Sequence, residues 1–175
     1  MVVILTKEKI NLKNIDAVVF DFDGVLTDNR VYLDQHGTES VVCSRGDGLA
    51  FDVLRILGKP TYILSTEKNP VVSKRGQKLM VPVLQGIKNK ADTLRSLTNK
   101  NNYSLERLLY VGNDLNDFQA LTMCGYSACP ADSHVRIKDK ATIVLRTKGG
   151  EGVARELIED VFSIDIVKTL DKKAK

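Results

Sequence analysis

Residues 15–28 read IDAVVFDFDGVLTD, an apolar run that ends in carboxylates. The run from Ala17 to Phe20 is short and continuously apolar, which is typical of a buried strand in a parallel sheet. Three acids follow it closely: Asp21, Asp23 and Asp28. Because desolvating an unpaired carboxylate is unfavourable, these acids either cap a surface loop or hold a cation and take part in chemistry.

Strand-like runs alternate with helix-like runs along the chain, which predicts an α/β fold with a mainly parallel sheet. Strands are predicted at 15–20, 60–65, 107–111, 126–129 and 142–145. Helices are predicted near 48–58, 70–80, 89–99, 115–123 and 152–162. The run from Val31 to Cys43 predicts an inserted β-hairpin, since two β-rich runs flank DQHG. Residues 163–175 are expected to form either a mobile tail or a segment docked on a neighbour.

The composition predicts one globular domain over residues 1–175, with 43% hydrophobic and 27% charged residues. The net charge is +4, but the basic residues are scattered and the aromatic residues few, which argues against nucleic-acid binding. The N-terminal run Val2–Leu5 is too short for a signal peptide or a membrane span. Three cysteines without metal-type spacing indicate reduced thiols, so we expect a cytoplasmic protein.

Chemistry-bearing residues follow the predicted strands. Ligands in parallel sheets gather at the carboxyl ends of the strands, which would bring these residues together. The residues concerned are Asp21 and Asp23 after the first strand, Ser65 after the second, Asn113, Asp114 and Asp117 after LLYV, and Lys90 after VLQG. The convergence of all of them predicts one site, although each alone would be weak evidence.

Asp21 and Asp23 lie two residues apart, so in extended geometry their side chains point the same way. Two carboxylates that face one spot repel each other unless a cation lies between them, and a hard cation such as Mg²⁺ suits an all-oxygen site. Ser65 alone could be a cap and Lys90 alone a solvated lysine at a helix start. Together they supply a hydroxyl and a positive charge, as a phosphoryl group in transfer requires.

Four motifs resemble, in order, those of the haloacid dehalogenase (HAD) superfamily: DFDGVLTD, YILS, Lys90 in QGIKNK, and GNDLND. The further segments GDGLAF, STEKNPVVSKRGQKL and TKGGEGVARELI are similar to the small capless phosphatases of 2-keto-3-deoxy sugar acid phosphates. This group includes octulosonate 8-phosphate and nonulosonate 9-phosphate phosphatases. The resemblance covers roughly residues 15–162 and implies a Rossmann-like three-layer α/β/α fold without a cap domain.

The resemblance also implies roles for the motif residues. Asp21 would attack phosphorus and form an aspartyl-phosphate, and Asp23 would act as general acid and then general base. Asp21, the backbone carbonyl of Asp23 and Asn113 would hold Mg²⁺, with Asp114 and Asp117 in support, and Ser65 and Lys90 would bind the phosphoryl oxygens. Asn113 stands where the family usually has aspartate, which should weaken Mg²⁺ binding unless a neighbouring aspartate compensates.

Residues that resemble the family's substrate loop predict the specificity. Asp47 and Gly48 match that loop, and Arg75 matches a position that contacts substrate. Glu67 and Lys68 resemble nonulosonate phosphatases, and both Glu67 and Glu151 stand where octulosonate phosphatases carry arginine. These residues favour a nonulosonate 9-phosphate over an octulosonate 8-phosphate. The alternative for Glu67, Lys68 and Arg75 is a solvated helix start with local ion pairs.

The resemblance further implies a homotetramer in which the 31–43 hairpins assemble the subunits and one subunit shields the next one's active site. The alternative is a hairpin that protects its own sheet edge. Two other functions stay open. One is a phosphatase for another small phosphorylated metabolite, because a fold does not fix the leaving group. The other is a catalytically weak oligomerisation domain associated with nucleotide-sugar synthesis.

Overall fold

The computed structural model describes residues 10–171 and alternates strands with helices. The strands are β1 Ala17–Phe20, β2 Tyr32–Leu33, β3 Glu39–Ser40, β4 Thr61–Leu64, β5 Val83–Leu84, β6 Leu108–Val111, β7 Tyr126–Cys129 and β8 Ile143–Val144. The helices are α1 Arg45–Ile56, α2 Val71–Leu79, α3 Lys90–Asn101, α4 Phe118–Met123, α5 Val135–Lys138, α6 Val153–Glu156 and α7 Ile166–Asp171. Short 3-10 helices span Leu12–Asn14, Leu105–Arg107 and Leu115–Asp117, and a π-helical segment, Leu157–Val161, continues α6.

Six parallel strands form the main sheet in the order β5-β4-β1-β6-β7-β8. All five predicted strands are present, and β1 lies between β4 and β6 with all four of its residues buried. The predicted α/β fold with a mainly parallel sheet is therefore confirmed. The carboxyl ends of β1, β4 and β6 are adjacent, as expected if the residues that follow these strands form one site.

Helices cover both faces of this sheet and complete the three-layer architecture. Val18 and Phe20 of β1 pack into a core cluster with α1, α2, α6 and α7. Ala17 and Val19, which point to the opposite face, pack with α3, α4 and α5. The continuous apolar run of β1 follows from this burial on two sides.

The hairpin predicted within residues 31–43 is present, with β2 and β3 antiparallel. Asp34 organises its turn, because one carboxylate oxygen accepts the backbone N–H groups of His36 at 2.8 Å and Thr38 at 2.9 Å. Val41 and Cys43 pack against the core, but several other apolar side chains of the hairpin are exposed: Val31, Tyr32, Leu33 and Val42.

Several element boundaries differ from the sequence prediction. Helix α1 begins at Arg45 rather than 48 because the Ser44 hydroxyl accepts the backbone N–H of Gly46 at 3.1 Å and caps the helix there. Strand β5 was not predicted, since only two half-buried residues after Pro82 form it. The predicted helix over 152–162 is α6 followed by the π-helical segment.

The expectation of a mobile tail is wrong for residues 166–171. These residues form α7, which packs against α1, and Ile166 is 3% exposed within the core. Val2–Leu5 and Lys172–Lys175 lie outside the described residues. Between residues 10 and 171, no helix is long and apolar enough to cross a membrane.

Candidate active site

The ends of β1, β4 and β6 bring five of the predicted site residues to one cavity of about 340 Å³. The backbone N–H of Asp21 donates to the Val111 carbonyl at 2.8 Å, which ties the end of β1 to the end of β6. The cavity is lined by Asp21, Asp23, Ser65, Asn113 and Asp114, together with Asn29, Thr66, Leu115 and Asn116.

A tight loop after β1 carries the two aspartates. The buried Thr27 hydroxyl accepts the backbone N–H groups of Gly24 at 3.1 Å and Asn29 at 3.3 Å, and so holds the loop closed. Gly24 has a φ of +76°, and a Cβ there would collide with the Asn113 side-chain amide. Asp28 caps the loop, because its carboxylate accepts the backbone N–H of Arg30 at 3.2 Å.

Lys90 joins the nucleophile candidate to the loop after β6. Its Nζ lies 2.7 Å from Asp21 Oδ1 and 2.5 Å from Asp117 Oδ1, and all three side chains are at most 5% exposed. Burial alone would lower the pKa of Lys90, but the charges of Asp21 and Asp117 outweigh burial and raise it. Lys90 is therefore a buried ammonium in contact with Asp21, and it does not itself line the cavity.

Asp117 is saturated by hydrogen bonds and does not line the cavity. Its Oδ1 accepts from Lys90 and from the Tyr110 hydroxyl at 2.6 Å, and its Oδ2 accepts the backbone N–H groups of Asn113 at 2.8 Å and Asp114 at 3.2 Å. Close packing at Gly112, where a Cβ would lie 2.7 Å from the Asp117 carboxylate, completes this arrangement. Asp117 thus positions Lys90 and the loop that carries Asn113.

The two aspartates after β1 both have raised pKa values. Burial raises the pKa of Asp21 well above its usual range, and the charge of Asp117 raises it further, against the effect of Lys90. For Asp23, burial is again the largest cause, and the charges of Glu67 and Glu39 also raise its pKa while Lys90 lowers it. The raised pKa of Asp23 suits a proton donor, and a cation beside Asp21 would favour the ionised form of that carboxylate.

The donor set at this cavity fits a hard divalent cation. Asn113 Oδ1 is buried without a hydrogen-bond partner, close to the loop of Asp21 and Asp23. Within residues 10–171 no group of three or more histidine, cysteine or acidic side chains could hold a metal ion. The oxygen atoms available to a cation here are the Asp21 carboxylate, the Asn113 amide oxygen and backbone carbonyls, which is a set that Mg²⁺ accepts.

Ser65 and Glu67 begin the loop after β4. Ser65 is 1% exposed, and its hydroxyl accepts the backbone N–H of Glu67 at 3.1 Å, which leaves its own proton available to a ligand in the cavity. The Glu67 carboxylate accepts the backbone N–H groups of Lys68 at 2.5 Å and Asn69 at 2.7 Å. Asn69 in turn donates to Glu39 of β3 at 3.2 Å, so the hairpin contacts this loop.

The other predicted substrate residues do not line the cavity. Asp47 and Gly48 are in the first turn of α1, and Asp47 Oδ1 accepts the backbone N–H of Arg155 at 3.1 Å while its Oδ2 has no partner. Burial raises the pKa of Asp47 to about 6, although backbone hydrogen bonds from residues 154 and 155 oppose it. Arg75 donates to the Ser44 carbonyl at 2.7 Å, and Lys68 is exposed.

The loop at Gly149–Gly152 packs against the loop after β1. The backbone N–H of Gly150 donates to the Val25 carbonyl at 3.0 Å, and a Cβ on Gly149 would lie 2.9 Å from the Thr27 carbonyl oxygen. Helix α6 follows this glycine loop directly, and the backbone N–H of Arg155 in α6 donates to Asp47 of α1. Helix α1 is therefore connected, through α6 and the glycine loop, to the loop that carries Asp21.

Sequence reasoning missed several residues of the site. Tyr110 gave no signal, because a tyrosine in LLYV is ordinary for a strand, yet its hydroxyl binds Asp117. Asn29, Thr66 and Asn116 line the cavity, but each lies in a polar loop where asparagine and threonine are common.

The chain is similar to known proteins over most of its length. Residues 61–157 match the family model of haloacid dehalogenase-like hydrolases. The 3-deoxy-D-manno-octulosonate 8-phosphate phosphatase of Haemophilus influenzae is 31% identical over 152 residues, which cover 86% of this chain and 84% of that protein. A solved structure assigned to the HAD hydrolases, from Streptomyces avermitilis, has a TM-score of 0.85 at 42% identity and 87% coverage of both chains. The cobalt-bound deoxy-D-mannose-octulosonate 8-phosphate phosphatase of H. influenzae has a TM-score of 0.80 at 29% identity and 93% coverage of both chains.

Proposed function

The chain belongs to the haloacid dehalogenase-like hydrolase family, and we propose that it is a Mg²⁺-dependent phosphatase of 2-keto-3-deoxy sugar acid phosphates. It is an enzyme of the HAD phosphatase type, so the proposal concerns its metal, its substrate and the roles of its residues. The observation that carries it is the contact of Asp21 Oδ1 with Lys90 Nζ at 2.7 Å, beside Asp23 and Ser65 in one cavity.

In this proposal Asp21 attacks the phosphorus atom and the bond to the sugar oxygen breaks. Asp23 donates its proton to that departing oxygen, and its raised pKa supports this role. The resulting aspartyl-phosphate is then hydrolysed by water, from which Asp23 takes a proton. Phosphate and the free sugar acid leave, and both aspartates return to their starting states.

Lys90 and Ser65 hold the phosphoryl oxygens during both steps. The ammonium is already fixed by Asp117, so little reorganisation is needed when negative charge shifts on the phosphoryl group. Asp21, the carbonyl of Asp23 and Asn113 Oδ1 would hold the cation, with Asp114 and Asp117 in support. When bound, a divalent cation would neutralise charge on the phosphoryl oxygens and keep Asp21 ionised. The cobalt-bound relative supports a divalent metal, and the all-oxygen donor set supports Mg²⁺.

The substrate we propose is a nonulosonate 9-phosphate, with an octulosonate 8-phosphate as the alternative. Curated relatives at about 30% identity are octulosonate 8-phosphate phosphatases, which supports the substrate class. Glu67 supports the nine-carbon acid, because this residue resembles the one that nonulosonate phosphatases carry at the corresponding position. Asp47, Gly48, Lys68 and Arg75 would contact the distal part of the sugar.

Hairpins of neighbouring subunits would assemble a homotetramer and cover the cavity. The cavity mouth is open in a single chain, and no inserted cap lies above it in the described part of the chain. Tyr32 and Leu33 are 57% and 67% exposed, which supports burial of this hairpin against another copy.

Phosphate release from nonulosonate 9-phosphate, octulosonate 8-phosphate and p-nitrophenyl phosphate tests the proposal, each with Mg²⁺ and with chelator. We expect metal-dependent turnover with preference for the nine-carbon acid, and none from Asp21→Asn. Preference for the eight-carbon acid would keep the mechanism and overturn the specificity. Turnover of the aryl phosphate alone would overturn the substrate class. No phosphate release from any of the three compounds would indicate an oligomerisation domain.

A further inference from the structure

Asn29 combines an unusual backbone conformation with a place in the catalytic cavity. It has a φ of +62°, in the left-handed region that glycine adopts most readily. The other non-glycine residues with positive φ in the described part of the chain are Met80, Asn102 and Ser163. Met80 and Asn102 cap the carboxyl ends of α2 and α3, and Ser163 follows the π-helical segment, so helix termination explains them.

Helix termination does not explain Asn29, which follows the loop of Asp21 and Asp23. Asparagine adopts this conformation more readily than most non-glycine residues, and a glycine would fit the backbone with less strain still, so the backbone accommodates Asn29 without requiring its side chain. The backbone N–H of Asn29 donates to Thr27, but within residues 10–171 its side-chain amide makes no hydrogen bond. That amide is free to bind a ligand in the cavity.

The depth of the cavity indicates which part of a substrate Asn29 meets. Asp21 and Ser65 are at most 4% exposed and form the base, where the phosphoryl group must lie to be attacked, and the buried Lys90 contacts Asp21 there. Asn29 lines the same cavity and is exposed, which puts it at the mouth. Other exposed residues line the mouth as well: Thr66, Asp114, Leu115 and Asn116. A leaving group that extends from the phosphoryl group toward Asn29 would meet its side-chain amide.

We propose that Asn29 is a specificity-determining residue whose side-chain amide hydrogen-bonds hydroxyl groups of the polyhydroxylated leaving group. A carboxamide both donates and accepts, which matches a hydroxyl in either role. The inference rests on the proposed function, since it requires a polyol leaving group. It adds to that function a contact within the same chain, independent of any neighbouring subunit.

Asn29→Gly tests the proposal, because it removes the side-chain amide and lowers the strain of the left-handed backbone conformation. We expect unfolding by urea to show equal or higher stability, and KM for the sugar acid phosphate to rise about tenfold. The kcat/KM for p-nitrophenyl phosphate, whose leaving group has no hydroxyls, should fall clearly less than the kcat/KM for the sugar acid phosphate. Asn102→Gly is the matched control, since it makes the same change at a helix end and should alter neither substrate.

A second variant, Asn29→Asp, keeps the side-chain shape but loses the donor and adds a negative charge. It should raise KM for the anionic sugar substrate at least as much as Asn29→Gly does. An unchanged KM in Asn29→Gly would overturn the proposal, as would an equal loss on both substrates, which would indicate a disturbed loop. If the unaltered enzyme turns over p-nitrophenyl phosphate but no sugar acid phosphate, the proposed function fails and this inference fails with it.

Discussion

Asp117 is a buried carboxylate whose partners all belong to the site. It accepts hydrogen bonds from Lys90, Tyr110 and two backbone N–H groups, and it is fully buried. Removing one charge of a buried pair leaves the other uncompensated. The position of Lys90 therefore depends on Asp117.

Asp117→Asn should lower the free energy of unfolding by about 3–5 kcal/mol and reduce kcat about 100-fold. Tyr110→Phe is the graded control, because it removes one hydrogen bond to the same carboxylate and should lower stability by about 1–3 kcal/mol. Urea unfolding and phosphate release measure both effects. Full activity in Asp117→Asn would contradict the positioning role.

Asp47 gives a pH dependence of stability with a defined sign. Its pKa is about 6 in the folded protein and 3.8 in the unfolded chain, so the folded state binds the proton more tightly. The resulting stabilisation is complete below pH 3.8 and is lost as pH rises through about 6, by roughly 3 kcal/mol.

Asp47→Asn should remove this part of the pH dependence, because an amide keeps the acceptor for the Arg155 N–H but does not titrate. Urea midpoints measured from pH 4 to 7 should fall less steeply in the variant than in the unaltered protein. Asp21 and Asp23 titrate in both proteins, so the difference isolates Asp47. Parallel curves would show that burial does not perturb this carboxyl.

Single residues could be predicted where a motif surrounds them. Asp21, Ser65 and Lys90 follow apolar runs at a shared sheet edge, and the structure brings them together. Tyr110 and Asn29 could not be predicted, because their importance depends on a partner or a backbone angle that no local pattern records. The predicted substrate residues Asp47 and Arg75 do not line the cavity. Only a bound substrate that extends beyond the cavity could contact them as well as the site.

At the scale of elements, the loop Gly149–Gly152 supports the loop after β1. Gly149→Ala would bring its Cβ within 2.7 Å of the Gly24 carbonyl carbon and 2.9 Å of the Thr27 oxygen. The displaced loop carries Asp23, so we expect kcat to fall about 10- to 100-fold. Steady-state kinetics with p-nitrophenyl phosphate measure the loss.

Gly58→Ala is the control for this prediction. Gly58 has a φ of +63°, a Cβ added there would meet no atom within 4 Å, and the residue lies just after α1, away from the cavity. The change should lower stability by about 1 kcal/mol and leave kcat unaltered. Equal losses of activity in both variants would contradict a specific role of the Gly149 contact.

Strands and helices could be predicted from the sequence where they are buried on both sides or where their apolar residues recur at a regular spacing. The runs AVVF and LLYV are buried throughout, and both strands appear where predicted. Strand β5 has only two residues and helix α7 buries mainly Ile166 and Thr169, so neither gives a pattern long enough to recognise. Their existence depends on packing against the finished sheet and α1.

At the scale of the whole molecule, the exposed hairpin predicts association. Leu33→Asp puts a charge on the apolar hairpin and should convert the proposed tetramer to smaller species with reduced activity. Val167→Asp is the control, because Val167 on α7 is 68% exposed against 67% for Leu33. Sedimentation equilibrium measures the mass of each variant, which should fall in Leu33→Asp and stay unchanged in Val167→Asp. An unchanged mass in Leu33→Asp would contradict the hairpin interface.

A rapid-mixing experiment with Asp23→Asn, p-nitrophenyl phosphate and Mg²⁺ tests most directly whether Asp21 is the nucleophile. Nitrophenolate leaves without a general acid, so Asp21 can still be phosphorylated, whereas hydrolysis of the intermediate lacks its base. We predict a burst of nitrophenolate equal to the enzyme concentration, followed by slow turnover, with phosphate on Asp21 in the acid-quenched protein. Nitrophenolate and phosphate released in step without a burst, or phosphate on another residue, would contradict the assignment of Asp21 as nucleophile.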